Sequence, residues 1–247
     1  MNKFYTSIKS KDGFGAQYQR IIQTYIYCKS INLNFVYRPL ECVEHNYDND
    51  VTYNDQLEKL MNLKNNIENI VNKNPVNELD YGTIVMPFFE NNIDECCKSE
   101  HMDFIKKCFW ENKDKSINFF NNNKFNVAIH IRRENHIDRG VAGDRVTTPN
   151  SYYLNIMNKI REKYKDKDIL FHIYSQGNMR NFIDLANDNV MFYINYDIIE
   201  TFKGLVSAEA LVTSPSSLSY VAALISDGEI YYKRFWHKPR NNWILCV

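Results

Sequence analysis

The sequence has no excess of charge of either sign and no long apolar run. Its 30 lysines and arginines balance 30 aspartates and glutamates over 247 residues. A protein without net charge has no global field to draw it onto nucleic acid or an anionic membrane, so any anion site must be local. The start of the chain lacks a signal peptide's apolar run, and no stretch reaches the roughly 18 apolar residues of a membrane span. These absences predict a soluble, cytoplasmic protein without nucleic-acid partners or membrane insertion. They say nothing about oligomeric state.

Several cofactor patterns are also missing. The six cysteines form no Cys-x-x-Cys pair of the kind that binds zinc. The pair Gly13-Phe-Gly15 lacks the third glycine of the dinucleotide fingerprint and the Gly-Lys-Ser/Thr ending of a P-loop. The formal Asp-x-Asp match, Asp48-Asn-Asp50, lies in a polar stretch and not in a loop after a strand. The sequence therefore predicts neither a bound cofactor nor a metal.

The C-terminal half contains a regular alternation of short apolar runs and longer stretches with helical spacing. Strands are predicted near 126–131, 169–174, 190–194, 210–213 and 229–232. Helices are predicted between them, near 150–165, 178–187, 198–208 and 216–226. Such alternation is typical of an α/β fold with a parallel sheet and right-handed crossovers.

The N-terminal half begins with the same rhythm. A strand, a helix and a second strand are predicted at 4–8, 16–30 and 34–37, and a further strand at 81–86. Between them, residues 44–80 are polar and rich in asparagine. The run Asn121-Asn-Asn-Lys124 is the predicted linker, which gives two domains, 1–120 and 121–247.

Three features could carry chemistry, and the first is the run Val127-Ala-Ile-His-Ile-Arg-Arg133. It ends a predicted parallel strand, at the edge where open α/β sheets bind ligands. Guanidinium groups bind phosphate oxygens bidentately, so Arg132 and Arg133 suit a diphosphate. Strand alternation puts His130 and Arg132 on one face and Arg133 on the other. The alternative is that both arginines pair with nearby acids such as Glu134 or Asp138.

The second feature is the hydroxyl-rich turn Val212-Thr-Ser-Pro-Ser-Ser-Leu-Ser219, which leads from a predicted strand into an apolar helix. A helix N-terminus opened by serine presents unpaired backbone N–H groups to an anion. An ordinary helix cap is the alternative. The third feature is the loop Lys11-Asp-Gly-Phe-Gly-Ala-Gln17, whose glycines turn the chain into the first helix and allow a ligand to approach the backbone.

In this order, Gly13-Phe-Gly-Ala-Gln17, His130-Ile-Arg-Arg133 and Ser214-Pro-Ser-Ser-Leu-Ser219 resemble the motif set of the alpha-1,2-fucosyltransferases and of the related alpha-1,6- and protein O-fucosyltransferases. The resemblance covers most of 125–226 and, thinly, 10–38. It implies a GT-B-like fold of two Rossmann-like domains, with the N-terminal one abbreviated and on the acceptor side. It further implies an inverting, metal-independent transfer of fucose from GDP-fucose to a sugar hydroxyl.

The resemblance also implies roles for individual residues. Arg132 would hold the diphosphate, His130 would contact the nucleotide, and Ser217 would contact the β-phosphate. Glu200 lies near the position that helps to recognise guanine. The full set of expected donor-binding residues is Gly13, Gly15, Gln17, His130, Arg132, Arg133, Ser175, Glu200, Ser214, Ser216 and Ser217. The chain departs from many relatives in having Glu134-Asn135 after the arginines, where they have Gly-Asp or Thr-Asp.

Inverting transfer also needs a base for the acceptor hydroxyl. Acids in the loop after the arginine strand are the candidates, and the expected catalytic residues are Arg132, Glu134, Asp138 and Asp144. His136 and Asp12 are further candidates for the base. Near the C-terminus, Trp236, His237 and Trp243 could stack on a sugar or base, or could simply pack the fold.

Two other functions are compatible with these patterns. One is a glycosyltransferase that uses another nucleotide sugar, since diphosphate contacts are common to many donors. The other is a non-catalytic nucleotide- or glycan-binding protein on the same fold.

Overall fold

The protein consists of two α/β units, each built on its own parallel sheet. A computed structural model describes residues 3–46, 48–71, 73–111, 113, 119–133 and 148–246. The chain divides into Met1–Ser116 and Ile117–Val247. The sheet of the first unit has three strands and that of the second has six. The expected α/β class, with two parallel sheets of which the N-terminal one is smaller, is confirmed. No helix among the described residues is long and apolar enough to cross a bilayer.

The first unit opens with the predicted strand, helix and strand. Its elements are β1 (Phe4–Ser7), α1 (Phe14–Ser30), β2 (Asn34–Phe35), α2 (Tyr53–Met61), β3 (Val76–Leu79), α3 (Met86–Asn91), α4 (Ile93–Lys98) and α5 (Glu100–Trp110). The strand order is β2-β1-β3, and both pairings are parallel. Strand β1 is therefore central, and α1 crosses over from β1 to β2.

The prediction of a strand at 81–86 is wrong. Residues Tyr81–Val85 form a π-helical turn that runs directly into α3. Asp80 starts this turn, because its side chain accepts a hydrogen bond from the backbone N–H of Thr83 at 2.9 Å. The place beside β1 is taken instead by β3, whose Leu79 pairs with Ser7.

The second unit contains the five predicted strands and one more. Its elements are β4 (Phe125–Ile131), α6 (Asn150–Lys163), β5 (Ile169–Ser175), a 3-10 helix (Met179–Leu185), β6 (Val190–Ile194), α7 (Ile198–Ser207), β7 (Ala210–Val212), α8 (Ser217–Ile225), β8 (Glu229–Lys233) and β9 (Ile244–Cys246). The predicted strands are confirmed, while β9 was not predicted. The helix predicted at 178–187 is a 3-10 helix.

The order of the six strands is β6-β5-β4-β7-β8-β9, and every pairing is parallel. Counted along this unit, that order is 3-2-1-4-5-6, which is the order of the Rossmann fold. From β4 the chain winds outward through β5 and β6, then returns to place β7 on the other side of β4. In open parallel sheets the crevice at this reversal is where ligands bind, outside the carboxyl ends of the strands.

Strand β4 is the central strand and is buried on both faces. Val127, Ile129 and Ile131 alternate along it and pack in one hydrophobic cluster with Tyr153 and Ile156 of α6. Continuous apolar sequence is what a parallel strand covered by helices on both sides requires. Full burial of such a side chain stabilises the fold by about 1.5–3 kcal/mol. The hydrophobic core therefore extends to Ile131, the last residue of β4.

Two buried histidines predict how stability depends on pH. Burial lowers the pKa of His172 to about 4, and burial together with the charge of Arg132 lowers that of His130 to about 3. An unfolded histidine titrates near ~6.5, so below that pH the unfolded chain binds more protons than the native one. The free energy of unfolding should therefore decrease as the pH falls from about 6.5 to 5, with a slope of up to about 1.4 kcal/mol per pH unit for each histidine.

Urea unfolding at several pH values checks this prediction. His172→Gln is the informative variant, because glutamine can still donate to Asn126 Oδ1, which lies 2.9 Å from His172 Nε2. The variant should lose less stability between pH 6.5 and 5 than the parent protein. An identical loss in both would show that His172 is not held neutral by the fold.

Candidate functional site

The two motifs that end β4 and follow β7 meet at the reversal of strand order in the second unit. His130 is the penultimate residue of β4, and Ser214 lies two residues after β7. Ser214 Oγ is 2.9 Å from His130 Nδ1. Ser214 is fully buried and the histidine is 7% exposed. The contact joins two segments that are 84 residues apart, at the edge of the sheet where a ligand is expected.

This contact bears on which nitrogen of His130 carries the proton. We infer that the Ser214 hydroxyl donates to Nδ1, because Nδ1 is the partner of this buried hydroxyl among the described residues and donation satisfies both groups. The imidazole proton then lies on Nε2. Because burial and Arg132 hold the pKa near 3, the ring is neutral at physiological pH. His130 is thus a neutral N–H donor whose orientation is fixed by Ser214.

Removal of the Ser214 hydroxyl should destabilise the protein and release the histidine tautomer. Ser214→Ala leaves Nδ1 buried without its donor, which costs about 1–3 kcal/mol. Urea unfolding measures this loss, and the ¹⁵N shifts of the imidazole report whether the ring now exchanges between tautomers. Ser217→Ala is the matched control, because Ser217 is partly exposed and its loss should cost under about 0.5 kcal/mol. Equal losses in the two variants, with an unchanged ring spectrum, would contradict the assigned contact.

The turn between β7 and α8 presents a helix N-terminus at the same edge. Ser216 caps α8, and its Oγ accepts from the backbone N–H of Leu218 at 3.3 Å. The Ser219 hydroxyl stabilises the turn. It accepts a hydrogen bond from the backbone N–H of Ser214 and donates one to the carbonyl of Ser214, both at 3.2 Å. No acidic residue stands in the first turn of α8. The helix dipole and the first-turn N–H groups other than that of Leu218 therefore favour an anion here.

Arg132 adds a full positive charge to this edge. It follows the last residue of β4 directly, and it is partly exposed. Its charge contributes to lowering the pKa of His130, which lies two residues earlier on β4. A guanidinium, a neutral imidazole and a helix N-terminus are each groups that bind phosphate, and a joint diphosphate site of Arg132, His130 and α8 remains a prediction.

Arg133 lies on the other side of the strand end. Its Nη1 donates to the carbonyl of Thr148 at 3.0 Å, and Nη2 donates to Asn150 Oδ1. The guanidinium carbon lies 5.3 Å from the centre of the Phe182 ring. Arg133 thereby joins the end of β4 to the start of α6 and to the 3-10 helix. Its predicted contact with the donor remains a prediction.

Ser175 and Glu200 also have contacts within the fold. Ser175 Oγ donates to the carbonyl of Ile131 at 2.7 Å, which joins the ends of β4 and β5. Glu200 stands in the first turn of α7 and forms an ion pair with Lys203 at 2.7 Å. Both lie on elements that follow or end strands of the same sheet, and their roles toward a donor remain predictions.

The glycine loop belongs to the first unit. Gly13 precedes α1 with a φ of −61°, and a side-chain carbon there would lie 3.4 Å from Nε2 of His45. The space that Gly13 leaves is therefore occupied by the His45 ring. Gln17 Nε2 donates to the carbonyls of Asp12 and Cys42 at 2.6 and 2.8 Å, so its amide holds the loop. Gly15 lies inside α1.

Of the candidate bases for the acceptor hydroxyl, Asp12 lies among the described residues. Glu134, His136, Asp138 and Asp144 lie outside the described residues. Asp12 forms an ion pair with Arg20. Within the described part of the chain, no three His, Cys, Asp or Glu side chains converge as metal ligands would.

The C-terminal aromatic residues pack on the second unit. The rings of His237 and Tyr220 of α8 stack at 4.7 Å, and Tyr232 of β8 donates to the carbonyl of His237 at 2.7 Å. Trp243 is 5% exposed and Trp236 is 47% exposed. His237 and Trp243 therefore pack within the second unit, which was the alternative to stacking on a sugar or base.

The partners of Arg133 and the Ser214–His130 contact were not foreseen from the sequence. Asn150 and Phe182 follow Arg133 by 17 and 49 residues. Ser214 follows His130 by 84 residues. No short motif encodes contacts of that range. Covariation between such positions is the signal that could have revealed them.

Comparison with known proteins leaves this site as the main source of functional information. No protein-family model matches the chain. No curated protein matches its sequence. A crystal structure of POFUT1 in complex with GDP is similar over 92% of this chain and 70% of that chain, with 12% identity and a TM-score of 0.35. At that distance the likeness assigns neither a ligand nor an activity to this chain.

Proposed function

We propose that this protein is an inverting glycosyltransferase that binds a nucleoside diphosphate sugar at the strand-order reversal of its second unit. The observation that carries the proposal is the meeting of His130, at the end of β4, with the Ser214 turn that opens α8. Parallel α/β sheets of this strand order bind nucleotides at this crevice. The predicted diphosphate residues Arg132, Ser216 and Ser217 lie on the same two segments.

The leaving group determines what this site must do. As the bond between the anomeric carbon and the β-phosphate oxygen breaks, its electron pair passes to the diphosphate. Arg132 and the N–H groups at the start of α8 would stabilise that charge, and His130 would donate a neutral hydrogen bond. Fixed donors are effective here because they need no reorganisation when charge develops. No metal is required by this scheme.

The attacking group is a hydroxyl of a glycan acceptor. Its oxygen forms the new bond to the anomeric carbon from the face opposite the diphosphate, and its proton passes to a carboxylate. We propose one of Glu134, Asp138 and Asp144 as that base, since all three follow the arginine strand closely in sequence. GDP-fucose is the proposed donor, on the resemblance of the three motifs to those of fucosyltransferases.

A thermal-shift panel of GDP, UDP, dTDP and CMP, with and without a chelator, tests this proposal. A ligand present at about 100 times its Kd stabilises the native state by about 2.7 kcal/mol, which is readily measured. We expect GDP alone to raise the melting temperature, with no effect of the chelator. A rise in melting temperature with UDP or dTDP would show that the donor carries a different nucleotide from the one proposed. A rise that the chelator abolishes would overturn the metal-independent scheme. No response to any nucleotide would contradict the proposed function.

Incubation with GDP-fucose then separates an enzyme from a binding protein. We expect slow release of GDP by donor hydrolysis, as water replaces the acceptor. Tight GDP binding without hydrolysis, and without transfer to any sugar acceptor, would favour the non-catalytic alternative.

A further inference from the structure

The first unit contains a surface depression that the proposed function does not use. It lies at the carboxyl end of β1 and is lined by both polar and apolar residues. Its walls come from the residues that follow β1, from one face of α1 and from the segment after β2. Strand β1 is flanked by β2 and β3, so this is also the edge at which a parallel sheet of this kind binds ligands.

Arg20 forms one wall of this depression and is held in place on three sides. Its Nη1 donates to Ser10 Oγ at 2.6 Å and pairs with the carboxylate of Asp12. The guanidinium carbon lies 5.5 Å from the centre of the Tyr81 ring. The Tyr81 hydroxyl is itself fixed, because it donates to Gln23 Oε1 at 2.7 Å. The guanidinium of Arg20 is therefore preorganised.

Arg38 forms a second wall in a similar way. Its Nη1 donates to the carbonyl of Ser7 at 3.3 Å and pairs with Glu78 of β3. The side chain is only 17% exposed. Two partly buried guanidinium groups therefore line one depression of the first unit.

The acids that pair with these arginines lie toward solvent. Asp12 and Glu78 are 46% and 44% exposed, against 24% for Arg20 and 17% for Arg38, and neither acid lines the depression. The remaining charged residues of the wall are Lys9 and Glu41, which pair with each other. Each cation of the wall is therefore balanced by one acid, but the acids of the two arginines lie outside the wall and leave the guanidinium groups facing the depression.

Both guanidinium groups also have donors left for a ligand. Among the described residues, the hydrogen bonds of Arg20 and of Arg38 involve Nη1 alone. Nε and Nη2 form the planar fork that binds a carboxylate, phosphate or sulfate group through two parallel hydrogen bonds.

We propose that this depression is a second ligand site, which binds the oxyanion group of a small molecule through Arg20 and Arg38. The hydroxyls of Ser7 and Ser10 line the same walls and can bond further polar groups of that molecule. The proposal does not rest on the proposed function, which uses residues of the second unit, although Gln17, one of the expected donor-binding residues, also lines the depression.

The probes are inorganic phosphate, sulfate and acetate, with glucose as an uncharged control. The Arg132→Ala protein is used, so that anion binding at the second unit does not obscure the result. Titration is followed by the ¹H–¹⁵N signals of the arginine side chains. We expect the Nε signals of Arg20 and Arg38 to shift saturably with at least one oxyanion and not with glucose. A preference for acetate over phosphate and sulfate would identify the ligand as a carboxylate. A preference for phosphate or sulfate would identify it as a molecule with a tetrahedral oxyanion group.

Variants of Arg38 then test its contribution to the site. Arg38→Gln should weaken oxyanion binding about tenfold or more, and Arg38→Lys, which keeps the charge but loses the fork, should also weaken it. Lys29→Gln, which removes an exposed cation from the last turn of α1, should leave the affinity unchanged. Equal affinity in Arg38→Gln and the parent, or arginine signals that do not move with any oxyanion, would overturn the proposal. Because the signals are read in a protein with both arginines intact, misfolding of an Arg38 variant would not prevent the test.

Discussion

Replacement of Arg132 by alanine is expected to weaken the binding of GDP by about 10- to 100-fold, which corresponds to about 1.5–3 kcal/mol for hydrogen bonds to a charged group. The reason is the position of Arg132 directly after β4, two residues beyond His130, at the edge that also presents the N-terminus of α8. Isothermal titration of GDP into the two proteins measures the difference. If the protein transfers a sugar, the rate should fall further, by about 10²- to 10³-fold, because the charge on the diphosphate develops during the reaction.

Arg161→Ala is the matched control for this prediction. Arg161 belongs to the same unit but stands in the last turn of α6, before β5 begins and hence at the opposite edge of the sheet. Its guanidinium lies 4.8 Å from the Phe171 ring, so its loss should affect packing and leave GDP affinity unchanged. Equal losses of affinity in the two variants would show that general charge, and not a site at the end of β4, is responsible.

Replacement of Gly204 by alanine is expected to destabilise the second unit by about 1–3 kcal/mol through overpacking. An added side-chain carbon would lie 2.1 Å from the hydroxyl oxygen of Tyr174 and 2.6 Å from the ring carbon that bears it. Tyr174 cannot move aside easily, since it is buried and stacks on Tyr193 at 4.7 Å. Helix α7 would therefore have to shift away from β5. The loss is measured by urea unfolding.

Gly82→Ala provides the comparison, because the nearest atom to an added carbon there is Asp80 Oδ1 at an ordinary 3.7 Å. This variant should change the free energy of unfolding by less than about 0.5 kcal/mol. Adding Tyr174→Phe to Gly204→Ala should restore part of the lost stability, since it removes the closest atom. Equal stability of Gly204→Ala and the parent protein would contradict the described contact between α7 and β5.

The strands of the second unit could be predicted because each is a short apolar run that recurs between stretches of helical spacing. The run ending in Ile131 reads as a strand buried on both faces, and it is one. The order of the strands could not be read from these runs. It depends on where each crossover returns, and the decisive step, the placement of β7 beside β4, joins Val127 to Ala210 across 83 residues.

The failures have local physical causes. Residues 81–86 are apolar enough for a strand, but the Asp80 cap and the following Pro87 favour a helical turn. Strand β3 contains Asn77 and Glu78, which do not suggest a buried strand, and it is partly exposed at the edge of its sheet. Strand β9 is only three residues long, which is too short for alternation to be recognised.

The candidate site was predictable in part, for a similar reason. His130, Arg132 and the serine turn could be singled out because parallel strands carry their ligands at their carboxyl ends. Whether Ser214 faces a ligand or a side chain could not be decided from the sequence. Its burial and its 2.9 Å contact with His130 make it a residue that positions the histidine.

A crystal structure of the protein grown with GDP tests the central claim most directly. We expect the diphosphate at the strand-order reversal of the second unit, with its oxygens within hydrogen-bond distance of Arg132, of His130 Nε2 and of the backbone N–H groups at the start of α8. GDP bound elsewhere, or with its diphosphate away from the ends of β4 and β7, would contradict the account.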